Sequence, residues 1–436
     1  MQHNGSVLTH TQRSIGSFMP KPSAPLKQKR VTADGPCPVM RSCGGCTWLG
    51  MPYRKQLARK QQATEELFAP LIARHQWDVS IDPVRGMGGC AGEGSLPAPR
   101  AFRYKAVTPF APSQHGGVRC GFFARGTHRI VHVPDCIVEA PDARHILNAV
   151  AHAAESCRIP AYNEDTHRGL LRYAVLRMGW RTDEAMLTLV TSQRHLPRYR
   201  AFIEALQRID GRITTIAQNV NPRVTNAILG NDTHILFGRT HLRDQLLGCT
   251  FDISPTAFYQ TNPAQTEVLY QLAIEGMGLE EGDVLMDAYC GSGTIGLCAA
   301  QAASDAGVNV QIVGVERNAA GIADAKRNAQ LNNLEQCARF INDDATSYMK
   351  RAAERGERVD VLCFDPPRAG STPACLDATC AMAPRRIVYV SCNPQTQVRD
   401  IEHLARGGYR LTRLTPVDMF PHTEHVETVA ILNRVL

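Results

Sequence analysis

Long apolar runs are missing from this sequence. No stretch approaches the roughly 20 residues a membrane-spanning helix needs, and no apolar signal core stands near the N-terminus. A cytoplasmic location is therefore expected. Self-similarity at a period of roughly 20 to 50 residues is also missing, which excludes solenoids and propellers. Excess charge of one sign is small: 48 Lys and Arg stand against 41 Asp and Glu, a net charge of +7 that tilts modestly toward anionic partners. Residues 1–36 are poor in aromatic and β-branched residues, and Arg13, Lys21, Lys27, Lys29 and Arg30 face only Asp34. They read as a flexible basic arm, either a solvated tail or a contact for an anionic partner.

The 436 residues exceed what one compact core holds and imply two or three domains, and 44% hydrophobic with 20% charged residues describes a soluble globular chain. Cysteine is abundant. Without an export signal the 15 cysteines are not expected to form disulfides, so some should be ligands or catalysts. "CPVMRSCGGC" spaces Cys37, Cys43 and Cys46 as Cys-x5-Cys-x2-Cys, and "HVPDCIVEAP" adds Cys136. Four thiolates suit a tetrahedral zinc or a four-iron cluster, and the spacing by itself leans to zinc. Cys90 and Cys120 are the alternative fourth ligands.

From about residue 98 to 250 short strands mix with helices. "LLRYAVLRMGWRTDEAMLTLV" (Leu170 to Val190) alternates, breaks at Gly-Trp-Arg-Thr-Asp and resumes, which predicts a hairpin; "GRITTIAQNVNP" and "NAILGNDTHILFG" predict further strands. From about residue 283 short apolar strands alternate with helical segments. The predicted strands are 284–288, 311–316, 338–342, 359–364 and 386–391, the pattern of a doubly wound parallel sheet. "YRLTRLTPV" and "VETVAILN" are joined too briefly for a helical crossover and should form an antiparallel hairpin at the sheet edge.

"DAYCGSGTIG" (Asp287 to Gly296) follows the first of these strands and opens a helix, so its glycines let the backbone approach a ligand at a helix N-terminus. Glu316 ends the next strand, 20 residues after Gly296, where a carboxylate can accept hydrogen bonds from a ribose. These features fit a nicotinamide dinucleotide or S-adenosylmethionine equally. "FDPPRAG" (Phe364 to Gly370) separates them, because an acid followed by two rigid prolines at the carboxyl edge suits a methyltransferase that positions a planar base.

"YVSCNP" (Tyr389 to Pro394) places Cys392 on that same edge. A lone cysteine is commonly a small buried hydrophobe, but here Asn393-Pro394 stops the strand and points the sulfur toward the cofactor loop. A thiol beside S-adenosylmethionine suits methylation of a carbon that is not itself nucleophilic. Carbon 5 of a pyrimidine becomes enolate-like once a thiolate adds to carbon 6, and after methylation a base must remove the carbon-5 proton. "DMFPHTEHVETV" supplies Glu427, with Asp418, His422, Glu424 and His425 as rivals for that role.

The ordered motifs "SPTAFYQTNP", "DAYCGSGTIGL", "FDPPRAG", "YVSCNP" and "DMFPHTEHVETV" resemble the bacterial RNA (uracil-5)-methyltransferases over about residues 37–436. The resemblance implies Cys392 as nucleophile and Glu427 as proton-abstracting base. It implies cofactor contacts from Gln260, Tyr289, Glu316 and Asp365, and Phe258 as a stacking partner for the target uracil. Family members often carry Asn where this chain has Thr294, so no contact is transferred to that position. RNA cytosine-5 methyltransferases carry a second cysteine after the proline of the fourth-strand loop; here Pro367 and Arg368 stand there.

The resemblance also reverses the preference for zinc. Ribosomal-RNA members share this cysteine spacing and bind a [4Fe–4S] cluster through residues matching Cys37, Cys43, Cys46 and Cys136, whereas transfer-RNA members generally lack it. Many members carry an N-terminal RNA-binding β-barrel for which residues 1–36 leave no room. The expectation is thus a cytoplasmic enzyme methylating a uridine of 23S ribosomal RNA, with transfer RNA as the alternative substrate and a non-catalytic RNA-binding protein as the alternative class. Its expected architecture is α/β: a flexible basic arm over 1–36, an α+β iron–sulfur and RNA-binding domain over 37–250, and a Rossmann-like class I methyltransferase domain with a mixed seven-stranded sheet over 251–436. "AFRYKAV" (Ala101 to Val107) and "RGTHRIVH" (Arg125 to His132) mix basic and aromatic residues suited to RNA contact, or are solvated strand faces.

Overall fold

The computed structural model describes residues 37–92, 96–113 and 117–435; the basic arm of residues 1–36 lies outside them. Among the described residues no helix is long and apolar enough to cross a membrane.

The C-terminal sheet follows from its sequence. Short apolar runs, each with Gly, Pro or Asn at its end or within three residues after it, give the parallel strands Val284–Ala288, Gln311–Glu316, Ala338–Asn342, Val361–Phe364 and Arg386–Ser391. Side-chain caps start several of the intervening helices. Asn318 Oδ1 accepts from the Ala320 N–H at 3.0 Å before the helix Ala319–Leu331, and Thr372 caps Pro373–Met382. Across the sheet the order is 338–342, 311–316, 284–288, 361–364, 386–391, then the antiparallel strands Glu427–Arg434 and Tyr409–Val417. Strand 284–288 starts the run in one direction and 361–364 starts it in the other, so the switch point lies between their carboxyl ends, where open α/β sheets bind ligands.

The hairpin is antiparallel as expected, but it is not the edge. Two-residue strands, Arg85–Gly86 and Gly89–Cys90, extend the sheet to nine, with Arg85 paired in parallel to Val417. They satisfy an edge that would otherwise be open. They follow the helix Tyr53–His75, whose Phe68 and Leu71 are buried with Ile401, Leu404 and Leu414 of the C-terminal layer. The hairpin Leu242–Leu246 and Cys249–Ile253 straddles residue 250, and its Leu242, Cys249, Phe251 and Ile253 join the C-terminal core.

A second, six-stranded sheet runs in the order Asp232–Gly238, Ile213–Val220, Ala185–Thr191, Leu171–Met178, Lys105–Pro112, Val118–Cys120. The predicted hairpin is its centre. Helices Ala143–Ser156 and Tyr199–Gln207 cover one face through Leu147, Val150, Phe202 and Leu206.

Candidate active site

The carboxyl edge of the large sheet carries the site. After Val284–Ala288 the chain turns through Tyr289 (φ 69°), Gly291 (φ 55°) and Gly293 (φ 79°) into the helix Thr294–Asp305. These left-handed conformations open the loop, and the space beside Gly291 is empty within 4 Å of a Cβ placed there. Asp287 Oδ2 accepts from the Gly296 N–H at 2.9 Å, while its Oδ1 is buried and has no partner among the described residues. Burial first, and then the nearby Asp365 and Glu316, push the Asp287 carboxyl up to about 7 against the pull of that N–H. Glu316 ends its strand half-buried, with Oε1 accepting from the Asn318 N–H at 2.7 Å. Asp365 stands just past Phe364, which pairs with Ala288, and burial pushes its carboxyl up to about 7. Glycine cradle, helix start, orphaned carboxylate oxygen and acid-lined floor together fit an S-adenosylmethionine, whose ammonium, sulfonium and ribose would supply the missing charge and donors.

Cys392 lies one residue beyond the last registered pair of its strand, Ser391 with Thr428, so the antiparallel register sets it opposite Glu427. Directly opposed residues share a face with Cβ atoms about 5 Å apart. The electrostatics agree: burial raises the Cys392 thiol first, Glu427 and Asp365 raise it further, and Arg368 opposes them. Glu427 is 3% exposed, and burial, with a smaller contribution from Asp365, pushes its carboxyl up to about 8. On the other face Thr428 Oγ1 donates to Gln397 Oε1 at 2.6 Å and Gln397 Nε2 donates to the Tyr389 carbonyl at 2.8 Å, which locks the register.

The Asp-Pro-Pro loop is held from the helix Pro394–Arg406. Asn393 Nδ2 donates to the Arg368 carbonyl at 2.9 Å, and Asp400 Oδ2 accepts from both the Ser371 N–H and the Tyr389 hydroxyl at 2.7 Å. The segment "SPTAFYQTNP" approaches from the other side. Phe258 there is 66% exposed, the most exposed of the large hydrophobic residues described, while the carbonyl of Ala257 before it accepts from the buried Arg177 guanidinium. Gln260, half-buried in the same loop, has no side-chain hydrogen bond among the described residues.

The rivals to Glu427 are engaged or turned outward. Asp418 is fully buried, pairs with Lys60 at 2.5 Å and accepts from the Tyr53 hydroxyl at 2.8 Å. His422 is buried between Gln56 Nε2 on Nδ1 (3.2 Å) and the Pro99 carbonyl on Nε2 (2.8 Å), and burial lowers its pKa, so it stays neutral with the proton on Nε2. Glu424 and His425 are exposed. Lys60 was not legible in the sequence: its partner lies 358 positions away, and besides Asp418 it donates to the carbonyls of Phe420 (3.2 Å) and His425 (2.6 Å). It thereby fixes the loop that delivers Glu427. Lys60→Met strands the Asp418 carboxylate and lowers unfolding stability by about 3–5 kcal/mol in denaturant titrations, and Lys60→Met/Asp418→Leu recovers most of that loss.

The four predicted ligand cysteines come together. Cys37, Cys43, Cys46 and Cys136 line one cavity with Val39, Leu49, Phe122, Val133, Ile137 and Arg103. The Gly45 N–H donates to Cys43 Sγ at 3.4 Å, and the N–H groups of Val138 and Glu139 reach Cys136. Burial pushes the Cys46 thiol up to about 11 and the Cys136 thiol up to about 12. Among the described residues no group of three or more His, Cys, Asp or Glu side chains is set to hold a metal ion. Neither Cys90, beside Arg85 Nη1 at 3.3 Å, nor Cys120, against Asn148, is part of this lining, so both lose their standing as fourth ligand.

Comparison with known proteins agrees with this geometry. A family profile described as tRNA (Uracil-5-)-methyltransferase matches residues 184–435. A Bacillus cereus protein named "Uncharacterized RNA methyltransferase" is 38% identical over 402 residues, covering 92% of this chain and 83% of its own. A similarly named Staphylococcus aureus protein is 35% identical, with 91% and 84% covered. The crystal structure of Pyrococcus abyssi tRNA (uracil-54, C5)-methyltransferase in complex with S-adenosyl-L-homocysteine superposes with a TM-score of 0.71 at 27% identity, over 89% of this chain and 84% of that one. The chain belongs to the tRNA (uracil-5-)-methyltransferase family and is an S-adenosylmethionine-dependent RNA (uracil-5-)-methyltransferase.

Proposed function

We propose that the chain methylates carbon 5 of a specific uridine in 23S ribosomal RNA through a covalent adduct between Cys392 and carbon 6. The placement of Cys392 opposite Glu427, beside the Asp365 loop, carries the mechanistic part of this reading. S-adenosylmethionine, held by Gln260, Tyr289, Glu316 and Asp365, supplies an electrophilic methyl group. The Cys392 thiolate adds to carbon 6 and makes carbon 5 nucleophilic; carbon 5 takes the methyl as the methyl–sulfonium bond breaks, which would release S-adenosylhomocysteine. Glu427 then removes the carbon-5 proton, and the electron pair restores the 5,6 double bond as the sulfur leaves. Phe258, exposed on a loop whose backbone is gripped by Arg177, stacks on the target base, which must leave its helix to reach the edge.

Cys37, Cys43, Cys46 and Cys136 hold a [4Fe–4S] cluster in this reading. What supports it is that the four thiols line one largely apolar cavity, with backbone N–H groups directed at sulfur. The cluster's role is structural, since the cavity lies in the segment that also packs on the Glu427 loop: the Trp48 N–H, two residues past Cys46, donates to the His422 carbonyl at 2.8 Å.

The ribosomal substrate rests on the cysteine spacing. Transfer RNA is the competing substrate, favoured by the name of the structurally similar Pyrococcus enzyme. Incubating the purified protein with labelled S-adenosylmethionine and, separately, unmodified 23S and transfer RNA decides between them. We expect 5-methyluridine at one position of the ribosomal RNA; label in transfer RNA alone would overturn the ribosomal assignment.

A further inference from the structure

Three cations gather on the unhelical face of the central sheet, and among the described residues no anion is hydrogen-bonded to them. Lys105 and Arg177 are registered partners on the antiparallel strands Lys105–Pro112 and Leu171–Met178, so their side chains emerge on the same face. Arg103 precedes Lys105 by two residues and shares that side. The intervening residues Tyr104, Ala106, Leu176 and Met178 face the other way, into the central core. Like charges set directly opposite one another destabilise a sheet. Arg177 is 3% exposed and donates to the Ala257 carbonyl, and among the described residues its Nε is buried without a partner, as is Nε of Arg103. Among the described residues neither Arg103 nor Lys105 makes a side-chain hydrogen bond or ion pair. Asp324, the carboxylate that acts on Arg177 from a distance, already receives His241 Nε2 and the Ser254 N–H on its two oxygens. Burial, and then the two arginines, lower Lys105 to about 7. A protein that only needed a sheet would not keep such a trio.

We propose that Arg103, Lys105 and Arg177 form a binding site for a backbone phosphate of the RNA substrate, close to the target base. The site adjoins the reacting edge because Arg177 reaches the carbonyl of Ala257, the residue before exposed Phe258. A phosphodiester offers one negative charge and several acceptors, which would meet the unpaired N–H groups and offset the repulsion between Lys105 and Arg177. Arg103 also lines the thiol cavity and divides its charge between the two sites, whereas Lys105 and Arg177 are not part of that lining. The inference rests on the reading of the substrate as RNA, not on which RNA it is.

The test uses the full chain, wild type and Lys105→Met, with two probes: a single-stranded oligouridylate and an unmodified ribosomal RNA transcript. Dissociation constants are measured across a salt series. Lys105→Met should weaken binding about tenfold and reduce the slope of log affinity against log salt by about 1, while Lys105→Arg keeps both within about threefold of wild type. The melting temperature of Lys105→Met should equal or exceed that of wild type, because a cation facing Arg177 has been removed. An unchanged salt slope, or a marked fall in melting temperature, would overturn the site. Methylation confined to transfer RNA would instead overturn the ribosomal assignment and leave the salt slopes where they are expected.

Discussion

Cys392→Ala abolishes methyl transfer, by on the order of 10⁴-fold or more in kcat, and yields no covalent protein–RNA species on denaturing gels. The reason lies in the substrate. Carbon 5 of uracil does not attack a methyl donor until carbon 6 has been saturated, and the half-buried Cys392 is the sulfur placed opposite Glu427 on the cofactor edge. The other cysteines of this half are placed differently. Cys290, Cys298, Cys363 and Cys375 are buried, and Cys337 and Cys380 sit away from the strand ends that form the edge. Because Cys392 is half-buried and makes no side-chain hydrogen bond among the described residues, its truncation should leave the melting temperature within a few degrees of wild type. Loss of activity together with loss of folding would point to a structural thiol instead, and retained activity would remove the nucleophile from the mechanism.

Glu427→Gln has a different signature. Addition and methylation proceed, the carbon-5 proton stays, and the enzyme remains bonded to methylated RNA, so turnover falls by about 10²- to 10⁴-fold while the adduct accumulates. The same substitution carries a stability effect whose sign follows from burial. Burial pushes the carboxyl up to about 8 in the folded, ligand-free protein, against about 4.3 in an unfolded chain. Between those values the folded state binds more protons, so the wild-type protein loses stability as pH rises through the window from about 4.5 to about 8. Glutamine has no proton to lose. The variant should therefore gain on wild type by roughly 2–4 kcal/mol between pH 5 and pH 8.5, read from denaturant midpoints at the two pH values. Catalysis has the opposite dependence: kcat/KM should rise with pH as Glu427 loses its proton near 8 and keep rising beyond it, because burial, Glu427 and Asp365 hold the Cys392 thiol above its ordinary value.

Much of the catalytic half was legible because its signals are local. Strands 284–288, 311–316, 338–342 and 386–391 occupy the residues expected, since each is a short apolar run closed by a residue that ends it. Asp287, Glu316, Asp365 and Cys392 share one edge as soon as those strands are parallel, and parallelism follows from the helices between them. What the sequence could not show depends on distant pairing. Nothing near Lys60 announces Asp418, and a buried lysine in the amphipathic stretch "YRKQLARKQQATEELF" looks like any solvated one. The two-residue strands at 85–90 are too short to carry a period, so the hairpin was expected at an edge that they in fact cover. On pattern alone Glu427 had Asp418 and His422 as rivals and the family resemblance favoured it; the register, and the partners that occupy the other two, support that choice. Arg103 and Lys105 belong to the basic and aromatic stretch "AFRYKAV", whereas Arg177 lies in a strand whose pairing with Lys105 is a contact between distant segments that no local pattern carries.

The covalent step can be measured directly. Glu427→Gln is incubated with S-adenosylmethionine and unmodified substrate RNA, digested with nuclease and protease, and its peptides are analysed by mass spectrometry. A methylated uridine nucleotide should be found attached to the peptide containing Cys392, and to no other. Absence of any adduct, or an adduct on a different cysteine, would contradict the assignment of Cys392 as the atom that activates carbon 5.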